Sequence, residues 1–227
     1  MLSKMYFSKA YFFATLLCLP MLAHAETGGY IGIIGGLNHE YSQRLKQNGD
    51  AFVNMKFKND LQDAYVYGLT AGWKDISGFR PELEISMSTN ELDKFSDRVY
   101  DGNGTIPAKG REKSTNYFAN VWYDFPGVTN SYNMHPYLGV GAGLSHVRGE
   151  DIQTQDGNFG SLTDNVFGYQ VGAGLRFPIV SNLITSFDIR YLKTQKIDFG
   201  DIPGLPPGHV TTKSSSTVFQ LGLSYFF

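Results

Sequence analysis

The stretch Phe79-Arg80-Pro81-Glu82-Leu83-Glu84-Ile85-Ser86-Met87-Ser88 decides how this chain is read. Its odd positions carry Phe, Pro, Leu, Ile and Met, and its even positions carry Arg, Glu and Ser. A β-strand turns successive side chains to opposite faces, so this segment has one greasy face and one ionic face. Six further segments share the dyad. Residues 65–73 set Tyr65, Tyr67, Leu69, Ala71 and Trp73 against Val66, Gly68, Thr70 and Gly72. Residues 116–124 set Tyr117, Ala119, Val121 and Tyr123 against Asn116, Phe118, Asn120, Trp122 and Asp124. The same alternation marks residues 137–145, 167–177, 186–191 and 219–227. Residues 30–37 complete a set of eight, although Ile33 and Ile34 conflict and leave the parity of that segment open. An even count lets both ends of a closed antiparallel barrel emerge on one side.

The connections alternate in length. Residues 74–78 and 178–182 are short and 126–134 moderate, whereas 38–64, 89–113, 147–164 and 195–216 are long and polar. Short turns at one end and long loops at the other are the layout of an outer-membrane barrel. A soluble lipocalin-like barrel would use the same dyad with its apolar face inward. Two features turn that face outward here. The polar face is mostly Gly and Ser with a few charges, which packs a narrow lumen and makes a poor solvated exterior. In addition, Tyr65, Trp73, Phe79, Tyr117, Tyr123, Phe167, Phe177, Tyr225 and Phe227 stand near segment ends, as interface girdles do.

A lipid-facing arginine near the bilayer midplane costs about 2–4 kcal/mol. Arg80, Arg176 and Arg190 therefore belong in the lumen, facing Glu82, Glu84, Asp124 and Asp188. Buried charges persist when paired and hydrogen-bonded, so these seven residues are expected to form an internal network. Phe118, Trp122 and Tyr137 point into the same bore, which in an eight-stranded barrel is only just wide enough for side chains. The interior reads as a plug rather than a pore.

Of 227 residues, 18% are charged and one is cysteine, with a formal charge of −2. One cysteine excludes an intrachain disulfide framework and any multi-cysteine metal site. No basic stripe longer than a few residues appears, so nucleic acid is not an expected partner. Lys4 and Lys9 precede an apolar run over residues 11–22, interrupted by Pro20 and followed by Ala23-His24-Ala25. That pattern reads as a secretory signal peptide, residues 1–25, cleaved to leave 26–227 as one barrel domain. The run is shorter than the roughly 20 residues of a spanning helix. Lipidation of Cys18 competes with this reading, but Leu17 stands where a small residue normally precedes a lipidated cysteine.

The last segment alternates Phe219, Leu221, Leu223, Tyr225 and the terminal Phe227, and resembles the C-terminal signal read by the barrel-assembly machinery of Gram-negative bacteria. The pieces His135-Pro136-Tyr137-Leu138-Gly139-Val140-Gly141-Ala142-Gly143-Leu144 and Phe167-Gly168-Tyr169-Gln170-Val171-Gly172-Ala173-Gly174-Leu175 resemble paired strands of the surface-antigen family. That family comprises the major surface proteins and the opacity-protein-like porin superfamily. The resemblance implies an all-β, eight-stranded antiparallel transmembrane barrel in the lipid of the cell outer membrane. It also implies the assembly machinery as a partner and a surface-antigen role in adhesion or host contact; beside it, a monomer without a cofactor is the expectation.

Other chemistry is weighed against this. Glu82 and Glu84 share a face and paired carboxylates can do acid–base work, but the three arginines answer them as a structural ladder. Small barrels also serve as lipid-modifying enzymes, which need a nucleophile, a histidine and an orienting acid together. His39, His135, His146 and His209 match no such local motif. The glycines over 28–36 and 139–143 repeat at period two inside strands, with no following helix and no Lys-Ser/Thr, so they relieve crowding rather than hold phosphate. Glu150, Asp151, Asp156 and Asp164 are too sparse for a recognised calcium loop. The expectation is therefore no enzyme and no bound metal. Binding is assigned to the loops. The first carries Phe52 and Phe57, and the fourth carries Ile202, Leu205 and Val210, either as candidate contacts to a host-surface ligand or as residues that only pack the loops together. A small-solute porin is the first alternative and a lipid-modifying enzyme the second.

Overall fold

The computed structural model describes residues 27–41, 43–48, 56–61, 63–97, 104–125, 134–154, 157–158, 162–201 and 209–227. Its strands are β1 (Gly28–Glu40), β2 (Gln43–Asn48), β3 (Lys56–Leu61), β4 (Ala64–Lys74), β5 (Phe79–Asp97), β6 (Gly104–Asp124), β7 (His135–Thr154), β8 (Gly157–Asn158), β9 (Leu162–Val180), β10 (Leu183–Asp201) and β11 (His209–Phe226). Eight of them, β1, β4, β5, β6, β7, β9, β10 and β11, pair antiparallel in that order, and β1 returns to β11 to close the cylinder. Ile31 lies opposite Tyr225 and Leu37 opposite Phe219 across this seam. Among the described residues there is no helix.

Burial is the inverse of a soluble barrel. Leu83 is 67% exposed, whereas Glu82 and Glu84 on either side are 6% and 7% exposed. Ile33, Leu69, Val140, Val171 and Leu221 are likewise exposed around the barrel. An apolar surface this continuous is not left to water; hydrocarbon covers it. The open parity of the first strand resolves with Ile33 outward and Ile34 inward. Ile34 stands between Gly68 of β4 and Gly222 of β11, whose missing side chains leave room for it in the bore.

The strands outrun the dyad on the side of the long connections. Much of 89–113, 147–164 and 195–216, read from the sequence as loop, continues as strand in β5, β6, β7, β9, β10 and β11. Beyond the lipid, water wets the outer face, so both parities turn polar while the backbone ladder continues. The first connection also departs from a plain loop. Its β2 pairs with the start of β11 and its β3 with the end of β5, which carries the wall above the shorter β1 and β4.

At the other end the chain turns tightly. Asp75 Oδ1 accepts hydrogen bonds from Ser77 Oγ (2.6 Å), Ser77 N (2.8 Å) and Phe79 N (3.1 Å). Gly78 has φ +94°, a conformation that costs a side-chain-bearing residue and not glycine.

Candidate functional site

Glycines seat the lumen's large side chains. β6 turns Phe118, Asn120 and Trp122 inward, and β7 places Gly143, Gly141 and Gly139 directly opposite them. A Cβ on Gly139 would enter the Trp122 ring, and one on Gly141 the Asn120 amide. Gly172 of β9 faces Gly139, and Arg190 of β10 faces Gly172. Trp122 and Arg190 therefore meet across two residues without side chains, the guanidinium 4.7 Å from the indole centroid. In the same way Tyr137 reaches over Gly174 and donates to Asp188 Oδ2 at 2.6 Å.

These seats hold one continuous polar chain. Asp124 accepts from Arg80 Nε at 3.2 Å and from Arg176 Nη1, with Lys74 Nζ 3.5 Å away. Arg80 also pairs with Glu82, 3.4 Å from its Oε2. Glu82 accepts from the Tyr30 hydroxyl (2.7 Å), Trp122 Nε1 (2.9 Å) and Asn120 Nδ2 (3.1 Å). Asn120 donates to Glu84 at 2.9 Å and accepts from Gln170 at 2.7 Å. Arg190 closes the chain by donating to both Glu84 and Asp188. Arg80, Glu82, Glu84, Asp124, Arg176, Asp188 and Arg190 are all buried and all belong to it.

Lys74 is a further member, assigned from the sequence to a turn. It is the last residue of β4 and has the inward parity opposite to Trp73, a signal already present in the alternation. With it, the network sets Lys74, Arg80, Arg176 and Arg190 against Glu82, Glu84, Asp124 and Asp188. Such a buried set is held by its balance: removing one partner of a buried pair costs about 3–5 kcal/mol because the other is left uncompensated.

Below the network, Tyr30 stacks on Phe226 with centroids 4.9 Å apart, and Arg176 lies 5.1 Å from the Phe226 centroid. Ile184 packs with that pair. A cavity of about 20 Å³ lies among Arg80, Glu82, Trp122, Tyr137, Arg176 and Arg190. Another of about 40 Å³ lies in the outer half, bounded by Glu84 and Arg190 and lined by Asn38, Glu40, Ser216 and Gln220. Asn38 Oδ1 and Gln220 Nε2 are buried there without a protein partner among the described residues. A water needs about 10–15 Å³ of such space and two or more polar partners, so cavities of this size suit single waters.

The remaining sequence candidates fall elsewhere. Glu82 and Glu84 are engaged within the network rather than facing a cleft. His39 and His146 lie near the long-connection end of the outer wall, beside Asp63 (2.6 Å) and Asn165 (2.7 Å) respectively. Of the acidic residues weighed for calcium, Glu150 is taken by Lys113 and Arg148, and Asp164 accepts from the backbone N–H of Asn165 and Asp198. Phe219, Leu221, Leu223, Tyr225 and Phe227 all face outward. Of the loop contacts, Phe52, Ile202 and Leu205 lie outside the described residues; Phe57 and Val210 lie on the backbones of β3 and β11, with side chains outside the described part.

Comparison with known proteins agrees with this architecture. The sequence matches the family described as outer membrane protein beta-barrel domain over residues 11–227. It is 24% identical over 222 residues to outer membrane protein PagN of Salmonella typhimurium, a match covering 89% of this chain and 87% of that protein. The outer membrane protein OprG from Pseudomonas aeruginosa has the same fold, with a TM-score of 0.58 at 16% identity over 90% of this chain and 99% of that one. The outer membrane protease OmpT from Escherichia coli reaches 0.51 at 8% identity, covering 87% and 97%. Both likenesses are of fold alone. A closed strand cylinder with its charges inside and its apolar belt outside, matched along nearly its whole length, makes this chain a member of the outer membrane protein β-barrel domain family, resident in the cell outer membrane.

Proposed function

We propose that the protein is a surface antigen that presents its long connections outside the cell for adhesion or host contact, with a lumen that conducts no solute. One observation supports this reading: the polar chain from Lys74 to Tyr137 runs through the bore, while the wall continues past it toward the long connections as β5, β6, β7 and β10, each 19–21 residues long. Binding groups on such a wall stand on a rigid stalk. A porin would require an open path where the network runs, and an enzyme would require a nucleophile and base facing substrate. The fold itself is compatible with enzymes, so the non-enzymatic reading rests on the engagement of Glu82 and Glu84 with structural partners.

Residues 1–25 act as the cleaved signal, the barrel comprises 26–227, and the protein works as a monomer. The outward residues Phe219, Leu221, Leu223, Tyr225 and Phe227 are the signal for the barrel-assembly machinery. The test is binding of host cells and extracellular matrix to proteoliposomes carrying the full chain, compared with variants lacking residues 50–54 or 202–208. Binding should fall in at least one variant while heat-modifiable gel migration persists. Undiminished binding by both, or no binding by the intact protein, contradicts the proposal.

A further inference from the structure

The outer face of β6, β7 and β9 changes chemistry in rows two residues apart. Tyr117, Leu144 and Phe167 lie side by side in one row, Thr115, His146 and Asn165 in the next, and Lys113, Arg148 and Thr163 in the third. The first row belongs to the exposed apolar belt. In the second, His146 Nδ1 and Asn165 Oδ1 are 2.7 Å apart. The third sets two cations directly opposite each other on neighbouring strands, an arrangement that by itself destabilises a sheet.

The groups that answer this pair lie on the side away from the belt. Glu150, one row further, reaches Lys113 Nζ at 2.7 Å and Arg148 Nε at 3.4 Å. It stands opposite Arg111, which in turn stands opposite Glu91 of β5. The edge of the cluster nearest the lipid is therefore cationic, and its carboxylates are held above.

Height gives this edge a meaning. Lys113 and Arg148 are each ten residues along their strands from Tyr123 and Leu138, a paired couple at the opposite end of the belt. At about 3.4 Å per residue and a tilt of about 35–45°, that is roughly 24–28 Å, against an apolar band about 25 Å tall. The two cations thus stand at the level where lipid headgroups begin.

We infer that Lys113 and Arg148, with the Thr115 hydroxyl and the His146 ring beneath them, form a seat for a phosphate group of the outer-leaflet lipid, the phosphorylated glucosamine headgroup of lipid A. A phosphate placed there supplies the negative charge on the lipid side that Glu150 supplies on the other. Arginine and lysine side by side combine a planar fork and a point charge, both suited to phosphate oxygens. The inference rests on the reading that the long connections face outside.

Native mass spectrometry of the folded full-length protein, titrated in detergent with bis-phosphorylated lipid A, tests it. The Lys113→Gln/Arg148→Gln double variant should bind about 25-fold more weakly, from roughly a factor of five for each cation near a membrane surface. Lys113→Arg should retain binding and keeps the test alive if the double variant does not fold. Lys213→Gln, on the exposed face of β11, should behave as wild type. Lipid A stripped of its phosphates should bind wild type about as weakly as intact lipid A binds the double variant. Equal binding of the stripped lipid, unchanged affinity in the folded double variant, or tighter capture of a soluble sulfated polysaccharide by the same two residues overturns the seat. Labelling of a cysteine introduced at position 205 in whole cells reads the orientation separately, so failure of that reading is distinguishable from failure of the seat.

Discussion

Replacing Arg190 by methionine strikes the lumen where its charges meet. The Arg190 side chain is 5% exposed and lies between Glu84 and Asp188, with its guanidinium over the face of Trp122. Methionine fills much of the stem's volume and removes the charge. Glu84 keeps Asn120 as a donor and Asp188 keeps Tyr137, but neither keeps Arg190. Uncompensated burial of this kind costs about 3–5 kcal/mol, and loss of the cation–π contact adds about 0.5–2 kcal/mol. With a urea slope of about 1–3 kcal/mol per molar, a cost near 4 kcal/mol lowers the midpoint by at least about 1 M. The assay is equilibrium urea unfolding of the full chain in lipid vesicles, followed by tryptophan fluorescence and by gel migration without boiling. The triple variant Arg190→Met/Glu84→Gln/Asp188→Asn should recover most of the loss, because a balanced buried ion cluster is often replaceable by neutral groups at little cost. A single variant within about 0.5 kcal/mol of wild type, or a triple variant no better than the single, would refute the claim that charge balance holds the lumen.

Other perturbations test the two faces and the turn. Val140, 59% exposed and midway along the outward apolar run of β7, should cost about 2–4 kcal/mol when changed to arginine; an unaffected urea midpoint in vesicles would mean that this face does not meet hydrocarbon. Gly143→Val places a Cβ against the Tyr117 carbonyl and the Phe118 backbone, so the strands must shift at a cost of about 1–3 kcal/mol, read as a lower midpoint and a smaller folded fraction on the gel. The Ser77 hydroxyl, with the backbone N–H groups of Phe79 and Ser77, holds the Asp75 carboxyl below the usual carboxylate range. A depressed native pKa contributes stability above the unfolded value, near 4, and loses it as pH falls through the native value. Asp75→Asn should therefore lower the urea midpoint at pH 7, and the deficit should shrink as pH falls below the unfolded value near 4; a deficit that does not change with pH would contradict that account.

Much of the barrel was legible because lipid and a packed lumen impose opposite demands on alternate residues. Between Phe79 and Met87 the demand is unbroken, and the strand, its faces and its buried charges all follow from the letters. Ile33 and Ile34 resist such reading because a lone lumen isoleucine is allowed where its cross-strand neighbours are glycine; Gly68 and Gly222 decide it, and only the register brings them together. Lys74 obeys the parity rule but borders a turn, where polarity alone suggests solvent. Tyr30 and Phe226, which floor the lumen, carry inward parity in apolar company and so give no chemical contrast. Beyond the membrane the alternation itself fades, which hid both the upper strands and the β2–β3 hairpin. The row of Lys113 and Arg148 escaped for a related reason: its significance is a height above the belt and a cross-strand neighbour, neither of which is a property of a single segment.

Single-channel recording from the full-length protein in a planar bilayer tests the proposed closed lumen most directly. With the network running from Lys74 through Arg80, Glu82, Asn120 and Glu84 to Arg190, insertion verified by gel migration should produce no steady conductance above the bare membrane. A stable open level that tracks the amount of inserted protein would contradict it.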